Sequence, residues 1–263
     1  AAAAGGGSVA LAGGVGVISV TDVTEATLGG TTVAGGNVQV LADNQTRVAT
    51  MDGSVSVGLG VAGVGGAIGV LSLKKTTTAD IAAGAHVTAL GNSGNTFEGY
   101  VGTETGLVAS AAAAHGLNVA ATSGESNLTI AASAAGGLYA GISGVVTVQL
   151  LDVTTSANIG NNARINKDAT QVDAADTQDV FVTARDTAIS NVYAGGLAVG
   201  FVGLAGTVDV GVIKTTTSAT VGDGVQMSAK NDVSVSSWSN KAGNSVIVAG
   251  AAGLILVWAA VAV

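Results

Sequence analysis

One sequence pattern recurs along this chain and constrains its fold more than any other feature. In residues 53–84 an uncharged run of Gly, Ala and Val leads through Lys74 and Lys75 into three threonines and then an apolar alternation. The four copies of the pattern are centred on Ala26, Ala79, Ala157 and Ala219. These alanines lie 53, 78 and 62 residues apart. A recurring but irregular period of this size is typical of an array of stacked supersecondary units.

The residues within each unit show the pattern of β-strands. Val38, Val40 and Ala42 fall on every second position, which is the period of a strand. The segment Asn37-Val-Gln-Val-Leu-Ala has counterparts at Asp179 and Asn231, so three units place a strand start at the same point. β-Branched runs punctuated by glycine favour strands, and no helical period of 3.6 residues is sustained.

These features predict an all-β chain that forms a right-handed parallel β-helix, or β-solenoid, as a single continuous segment over residues 1–263. A single unit cannot bury its own apolar face, so successive units must stack, and parallel crossovers are right-handed. The approximate units are 1–52, 53–125, 126–194 and 195–263, the last of them incomplete. Because strands average about 5–6 residues, each irregular unit of 53–78 residues is predicted to contain two or three coils.

The composition excludes several classes of function. A formal net charge of −8 without clustered Lys and Arg argues against a nucleic-acid partner. The absence of Cys excludes disulfides and thiol catalysis. His86 and His115 are isolated in the sequence, so we predict no metal site, no cofactor and no catalytic residues.

Two segments also match the patterns of a dinucleotide-binding loop and of membrane-spanning helices. Gly58, Gly60 and Gly63 match the G-x-G-x-x-G dinucleotide fingerprint, which requires a helix N-terminus directly afterwards, but the following residues are poor helix formers. The uncharged runs 53–73 and 246–263 are long enough to cross a bilayer as helices. Buried strands also form continuous apolar runs, so we favour strands and keep a membrane-inserted Gly/Ala/Val-rich protein as an alternative.

Two polar excursions interrupt the pattern and supply the candidate contact residues. Residues 91–106 contain Phe97 and Tyr100, and a second, strongly charged excursion contains Asp173 and Asp176. We predict that these four residues lie in exposed contact loops. The acidic residues of the third unit are Asp168, Asp173, Asp176, Asp179 and Asp186. Paired carboxylates among them would suit calcium binding or polysaccharide cleavage, so a carbohydrate-active β-helix enzyme is a second alternative.

Threonine runs occur once in each of three units, at residues 76–78, 154–155 and 215–217. With several coils in each unit, such runs cannot form a continuous threonine ladder. We therefore attribute them to internal hydrogen bonding and β-propensity rather than to a flat binding face.

The pattern GVxGVGGAIGVLxL…TTTAxI, which begins at Gly60, together with NVxVxA-like strands, resembles the repeats of filamentous haemagglutinin-like adhesins. The closest resemblance is to the leukotoxin-type filamentous adhesins of Gram-negative bacteria, and it covers most of the chain. The resemblance implies the parallel β-helix stalk of a type V secreted passenger, located extracellularly at the outer cell surface and used in adhesion and biofilm. We therefore expect a structural, non-enzymatic segment. Its expected partners are a cell-surface receptor or glycan, or its own copies end to end, with membrane contact only through parts outside this chain.

Overall fold

The computed structural model describes residues 2–100, 111–167 and 173–263. Within these ranges the chain is built of strands and has no α-helix. The strands are β1 (Ala2–Leu28), β2 (Thr31–Ala34), β3 (Val38–Ile81), β4 (His86–Ala89), β5 (Phe97–Tyr100), β6 (Ala111–Gly137), β7 (Ala140–Ile159), β8 (Arg164–Ile165), β9 (Gln178–Val199), β10 (Val202–Val221), β11 (Gln226–Met227), β12 (Val233–Ala252) and β13 (Ile255–Ala262). Apart from the antiparallel pair of β5 and β6, the strands pair in parallel. The predicted all-β parallel solenoid is confirmed, and its handedness stays a prediction.

Each coil of the solenoid consists of two long arms and one short closing strand. In the second coil the first arm is residues 38–58 of β3, the second arm is residues 62–81 of β3, and β4 closes the coil. The other first arms are β6, β9 and β12, and the other second arms are β7, β10, β13 and residues 9–28 of β1. Residues 2–7 of β1 pair with residues 53–58, so they belong to the sheet of the first arms. The closing strands β2, β4, β8 and β11 form a small sheet of their own.

The repeat positions predicted from the sequence lie directly on one another. The four anchor alanines form one row across the second arms: Ala26, Ala79, Ala157 and Ala219. The three strand starts predicted next to Asn37, Asp179 and Asn231 lie in another row across the first arms, in which Leu117 of β6, which was not predicted, lies between Val38 and Val180, and Val233 pairs with Val180. The sequence pattern therefore identified the register of the second arms and three of the strand starts in the first arms.

Each unit forms one coil, so the prediction of two or three coils per unit is wrong. Ala62 pairs with Ala140, 78 residues later, and Ala140 pairs with Val202, 62 residues later. These separations equal the spacings between the corresponding anchor alanines. The prediction assumed strands of average length, whereas β7, β10 and β12 each have 20 residues.

Glycines that face the interior allow the two arms to lie close together over this length. A Cβ atom at Gly63 would lie 2.2 Å from the carbonyl oxygen of Gly136, and one at Gly65 would lie 2.9 Å from that of Ala134. Because these distances are too short for any side chain, only glycine fits. The arms therefore lie in close contact at these glycine positions.

The main hydrophobic core fills the corner where the two arms meet the closing strands. Leu117 and Val119 of a first arm, Ile81 of a second arm and Val87 of a closing strand belong to this cluster and are almost completely buried. Removal of such aliphatic surface from water is the main favourable contribution to folding. A smaller apolar cluster lies farther along the arms and consists of Ala67, Ala131, Val145, Val192 and Ala194.

The corner turns in the same way in successive coils. Gly84, Asn162 and Gly224 each have a positive φ, of 69°, 58° and 70°. Glycine and asparagine are the residues that adopt this left-handed conformation most readily. The amide of Gly84 donates to the carbonyl of Asn161, and that of Asn162 donates to the carbonyl of Asp223, so neighbouring corners are also linked.

The two segments that could have been membrane helices are strands. Residues 53–73 lie within β3, and residues 246–263 lie mainly in β12 and β13. No helix in the described ranges has the length and apolar character needed to cross a bilayer. After Gly63 the chain continues as the second arm, so the helix N-terminus that a dinucleotide fingerprint requires does not follow.

The threonine runs do form a continuous ladder, contrary to the expectation from the sequence. Thr77 pairs with Thr155, and Thr155 pairs with Thr217, because successive units are successive coils. The hydroxyl groups of Thr78 and Ser156 lie 3.2 Å apart. The hydroxyl groups of Thr77, Thr155 and Thr217 have no hydrogen-bond partner among the described residues, so the prediction that internal hydrogen bonding explains these runs is wrong for the central row of the ladder.

Candidate functional site

A lysine lies buried between the two arms, just beyond the corner core. Lys75 follows Leu73 at the next inward-facing position of β3, and both residues are 1% exposed. The Nζ atom of Lys75 donates to the backbone oxygens of Asn44, at 2.6 Å, and Gly124, at 3.1 Å. It also lies 2.9 Å from Oε1 of Glu125, which accepts a further hydrogen bond from Ser123. The ammonium group is therefore bound entirely by protein atoms.

A second buried carboxyl group lies beside this ion pair. Asp186 of β9 is fully buried next to Glu125. Burial is the largest cause that raises the pKa of Asp186, to about 7, and the interaction with the carboxylate of Glu125 adds to it. Ser239 and Lys75 act in the opposite direction. We call Lys75, Glu125 and Asp186 the buried triad.

The buried triad can hold one proton and connect three strands, but it cannot reach an external substrate. With Asp186 protonated, the ammonium of Lys75 balances the carboxylate of Glu125. Because the two carboxyl-bearing residues are at most 2% exposed, a polysaccharide cannot contact them. The ammonium group of Lys75 occupies the position between the carboxyl groups that a metal ion would need. The described part of the chain contains no group of three or more potential metal ligands.

A cavity of about 290 Å³ opens between the arms in the last coil. It is lined by Gln149, Asp209 and Ser245, among other residues. The carboxylate of Asp209 accepts hydrogen bonds from Thr147 and Ser245, each at 2.6 Å. These bonds hold the carboxylate against the two walls, so the cavity presents no charged group aimed at a ligand.

Of the two aromatic residues predicted as exposed contacts in the first excursion, Phe97 is buried. Phe97 is only 7% exposed and packs edge-on against Phe181, with ring centroids 6.1 Å apart and an interplanar angle of 84°. Tyr100 ends β5, where its backbone pairs with that of Ala111. The prediction of an exposed contact at Phe97 is wrong, because β5 lies on β6 and places this ring against the outer side of β9.

The acidic residues of the third unit do not converge on one site. Asp173 and Asp176 are exposed as predicted, and Oδ1 of Asp176 lies 3.5 Å from Nζ of Lys230. Asp179 accepts hydrogen bonds from the side chain of Asn231 and the backbone of Asp232, so it has a structural role at a strand start. Asp186 belongs to the buried triad, and Asp168 lies outside the described residues.

The two histidines lie in different sheets. His86 begins β4 and pairs in register with Arg164, whereas His115 lies on β6 and pairs with Gln178. They therefore form no common site.

The edge of the solenoid opposite the corner presents large apolar side chains that the sequence reading missed. Four bends between a first and a second arm carry at least one, and their exposed fractions are large: Leu59 85%, Leu138 69%, Tyr139 61%, Phe201 51% and Leu254 76%. The bend within β1 has Ser8 at this position. The signal was a glycine followed by a large apolar residue at each of the four bends. We call these five residues the apolar edge.

The buried triad was also missed, although one signal for it was present. Leu73 and Ala79 lie on alternate positions of the same strand, so the period of two places Lys75 on their inward face. Its partners Glu125 and Asp186 could not be assigned in this way, because they come from first arms in later coils.

Comparisons with protein-family models, with curated proteins and with solved structures found no match for this chain.

Proposed function

We propose that this chain is a structural and adhesive stalk segment of a large secreted bacterial surface filament. The observation that carries the proposal is the coil-on-coil register. The same positions pair in parallel from β1 through β3, β7 and β10 to β13. This continuous stack of paired strands along one axis supports the role of a stiff stalk. Every coil contributes a row of backbone hydrogen bonds, and such rows give length and stiffness without a large aliphatic core.

The last coil supports end-to-end assembly. Val233 and Val235 face the interior of the solenoid and are 50% and 45% exposed, whereas their counterparts Val180 and Val182 in the coil below are completely buried. An unpaired strand with an exposed apolar face is a template for another strand. The end of one copy can therefore add to the other end of the next, with residues 38–52 of β3 as the receiving edge for β12 and β1 as the receiving strand for β13.

Electron microscopy of the purified chain over a concentration series tests the structural role. Arms of 20 residues and five stacked strands give a plate about 66 Å wide and about 24 Å along the axis. We expect ribbons of this width that lengthen with concentration. Val235→Lys places a charge on the open end and should shorten the ribbons, whereas Ser234→Lys on the opposite face of the same strand should not. Compact particles at all concentrations would contradict the proposal.

The adhesive role is tested separately on cell layers. The apolar edge gives a filament a contact element repeated at the four bends, and the exposed loop with Asp173 and Asp176 gives a polar one. Beads coated with the chain should be retained on cell layers more than beads coated with albumin. Equal retention of the two kinds of bead would contradict the adhesive role and leave the chain only the structural role of a stalk.

A further inference from the structure

The outer face of the second arms is divided sharply into an apolar half and a polar half. A row of charged and hydroxyl side chains, Thr21, Lys74, Asp152 and Lys214, marks the boundary. On the side of this row toward the bend, no outward-facing residue of β1, β3, β7 or β10 is charged from the row of Val9 to the row of Ser19. We call this half of the sheet surface the apolar face.

The apolar face has two ridges with a groove between them, all parallel to the solenoid axis. One ridge is formed by Leu11, Val64, Ile142, Leu204 and Val257. The other ridge is formed by Val15, Ile68, Val146, Val208 and Val261. The groove between them consists of Gly13, Gly66, Gly144, Gly206 and Ala259. Even in the middle coils the ridge residues Ile68 and Val146 are 42% and 39% exposed.

Nothing within the chain requires glycine in this groove. A Cβ atom at Gly13, Gly144 or Gly206 would have no neighbour within 4 Å, and one at Gly66 would lie 3.8 Å from the nearest atom. None of the four glycines has a positive φ. The inward-facing Gly63 differs, because it touches the opposite arm. Glycine weakens a strand, and where its own chain gives no reason for it, it marks a close approach by another backbone or ligand.

The geometry points to a second copy of this chain as the occupant of the apolar face. Ten residues along the strands and five strands across give a face of about 33 Å by about 24 Å, or about 800 Å². This is the area that each partner buries in a stable complex of standard size. A copy related by a two-fold axis can lay its ridge of Ile68 and Val146 into the groove while its own groove receives the same ridge.

The ridges and the groove of the apolar face favour a protein partner over lipid. A groove lined by glycine and flanked by apolar ridges can receive a ridge of an identical surface, whereas fluid hydrocarbon gains nothing from glycine in the groove. Two stalks joined in this way would run side by side, which differs from the end-to-end contact of the proposed function.

Sedimentation equilibrium at up to about 100 µM tests the pairing. The experiment uses Val235→Lys as the background, because this substitution suppresses end-to-end addition. We expect dimers, and at least a tenfold weaker dimer constant for Ile68→Glu and for Gly144→Val. Thr76→Glu, on the polar half of the same outer face, should leave the dimer unchanged. Gly144→Val should also keep or raise the unfolding midpoint, so that loss of the dimer cannot be attributed to misfolding.

Two results would overturn the inference. One is a Val235→Lys variant that stays monomeric over the whole concentration range. If this monomer also floats with phosphatidylcholine vesicles, the apolar face binds lipid instead of a second copy. The other is a dimer that Ile68→Glu and Thr76→Glu weaken equally, since the contact would then lie elsewhere. Ribbon formation by the parent chain is measured in parallel, so failure of the lateral contact and failure of the proposed function are distinguished.

Discussion

Lys75 Nζ and Glu125 Oε1 lie 2.9 Å apart with both side chains fully enclosed between the arms of the solenoid. Charged groups are rarely buried to this degree unless they are paired. The pair is also hydrogen-bonded to backbone and hydroxyl groups, which offsets part of the desolvation that burial of two charges costs. This relationship between a second arm and a first arm of the next coil leads to the first two predictions.

Lys75→Met is expected to destabilise the chain by about 3–5 kcal/mol, because it leaves the carboxylate of Glu125 buried without its counter-ion. The matched control is Lys74→Met. Lys74 is the preceding residue, and its side chain faces solvent, so its replacement should change stability by less than about 0.5 kcal/mol. Urea unfolding at pH 7 measures both effects. Equal unfolding midpoints for the two variants would show that the buried ion pair has no stabilising role.

The stability of the folded chain is expected to decrease as the pH rises from about 4 to about 7. The pKa of Asp186 is raised from 3.8 to about 7 in the folded state. In this window the folded chain therefore binds more protons than the unfolded chain, so the free energy of unfolding falls with pH. This loss in the free energy of unfolding is complete above pH 7 and amounts to at most about 4 kcal/mol.

Asp186→Asn isolates this contribution. Burial also raises the pKa of Asp80, so part of the pH dependence should remain in the variant. The expected result is a smaller slope between pH 4 and pH 7 and a more stable chain at pH 8 than the wild type. Unfolding curves at pH 5 and pH 8 suffice for the measurement. A wild-type stability that increases over this range would contradict the assignment.

Two neighbouring glycine positions should respond in opposite ways to the addition of a methyl group. Gly63→Ala places a Cβ atom 2.2 Å from the carbonyl oxygen of Gly136, and separating the arms to relieve this contact should cost about 1–3 kcal/mol. Gly66→Ala meets no atom closer than 3.8 Å and should be neutral or stabilise by up to about 1 kcal/mol. Thermal unfolding of the two variants makes the comparison. Similar midpoints would mean that the arms are not in close contact at Gly63.

Phe97→Ala is expected to cost about 3 kcal/mol, because its ring is buried against Phe181 rather than exposed for binding. Leu59→Ala is the control, since Leu59 is 85% exposed at the apolar edge and its loss should have little effect on stability. Circular dichroism melting distinguishes the two. An unchanged midpoint for Phe97→Ala would restore Phe97 as a candidate contact residue.

Several details of the fold could be predicted because local periodicity determines them. The period of two assigns an inward or outward face to each arm residue, and Lys75 follows from Leu73 on this basis. The repeat of Ala26, Ala79, Ala157 and Ala219 predicted the row in which they pair. Phe97 could not be placed in the same way, because it lies in an excursion without the repeat.

The sequence by itself determined that this chain forms stacked parallel strands, which face each residue of the repeated strands occupies and which residues of successive second arms lie in register. Only the tertiary structure decided that a unit is one wide coil, and that Lys75 meets Glu125 and Asp186 across the arms. The physical reason is that alternation reports the direction of a side chain but not the point at which the chain turns back. That point depends on how closely two sheets can approach, and contacts such as that of Gly63 with Gly136 set this distance only after folding.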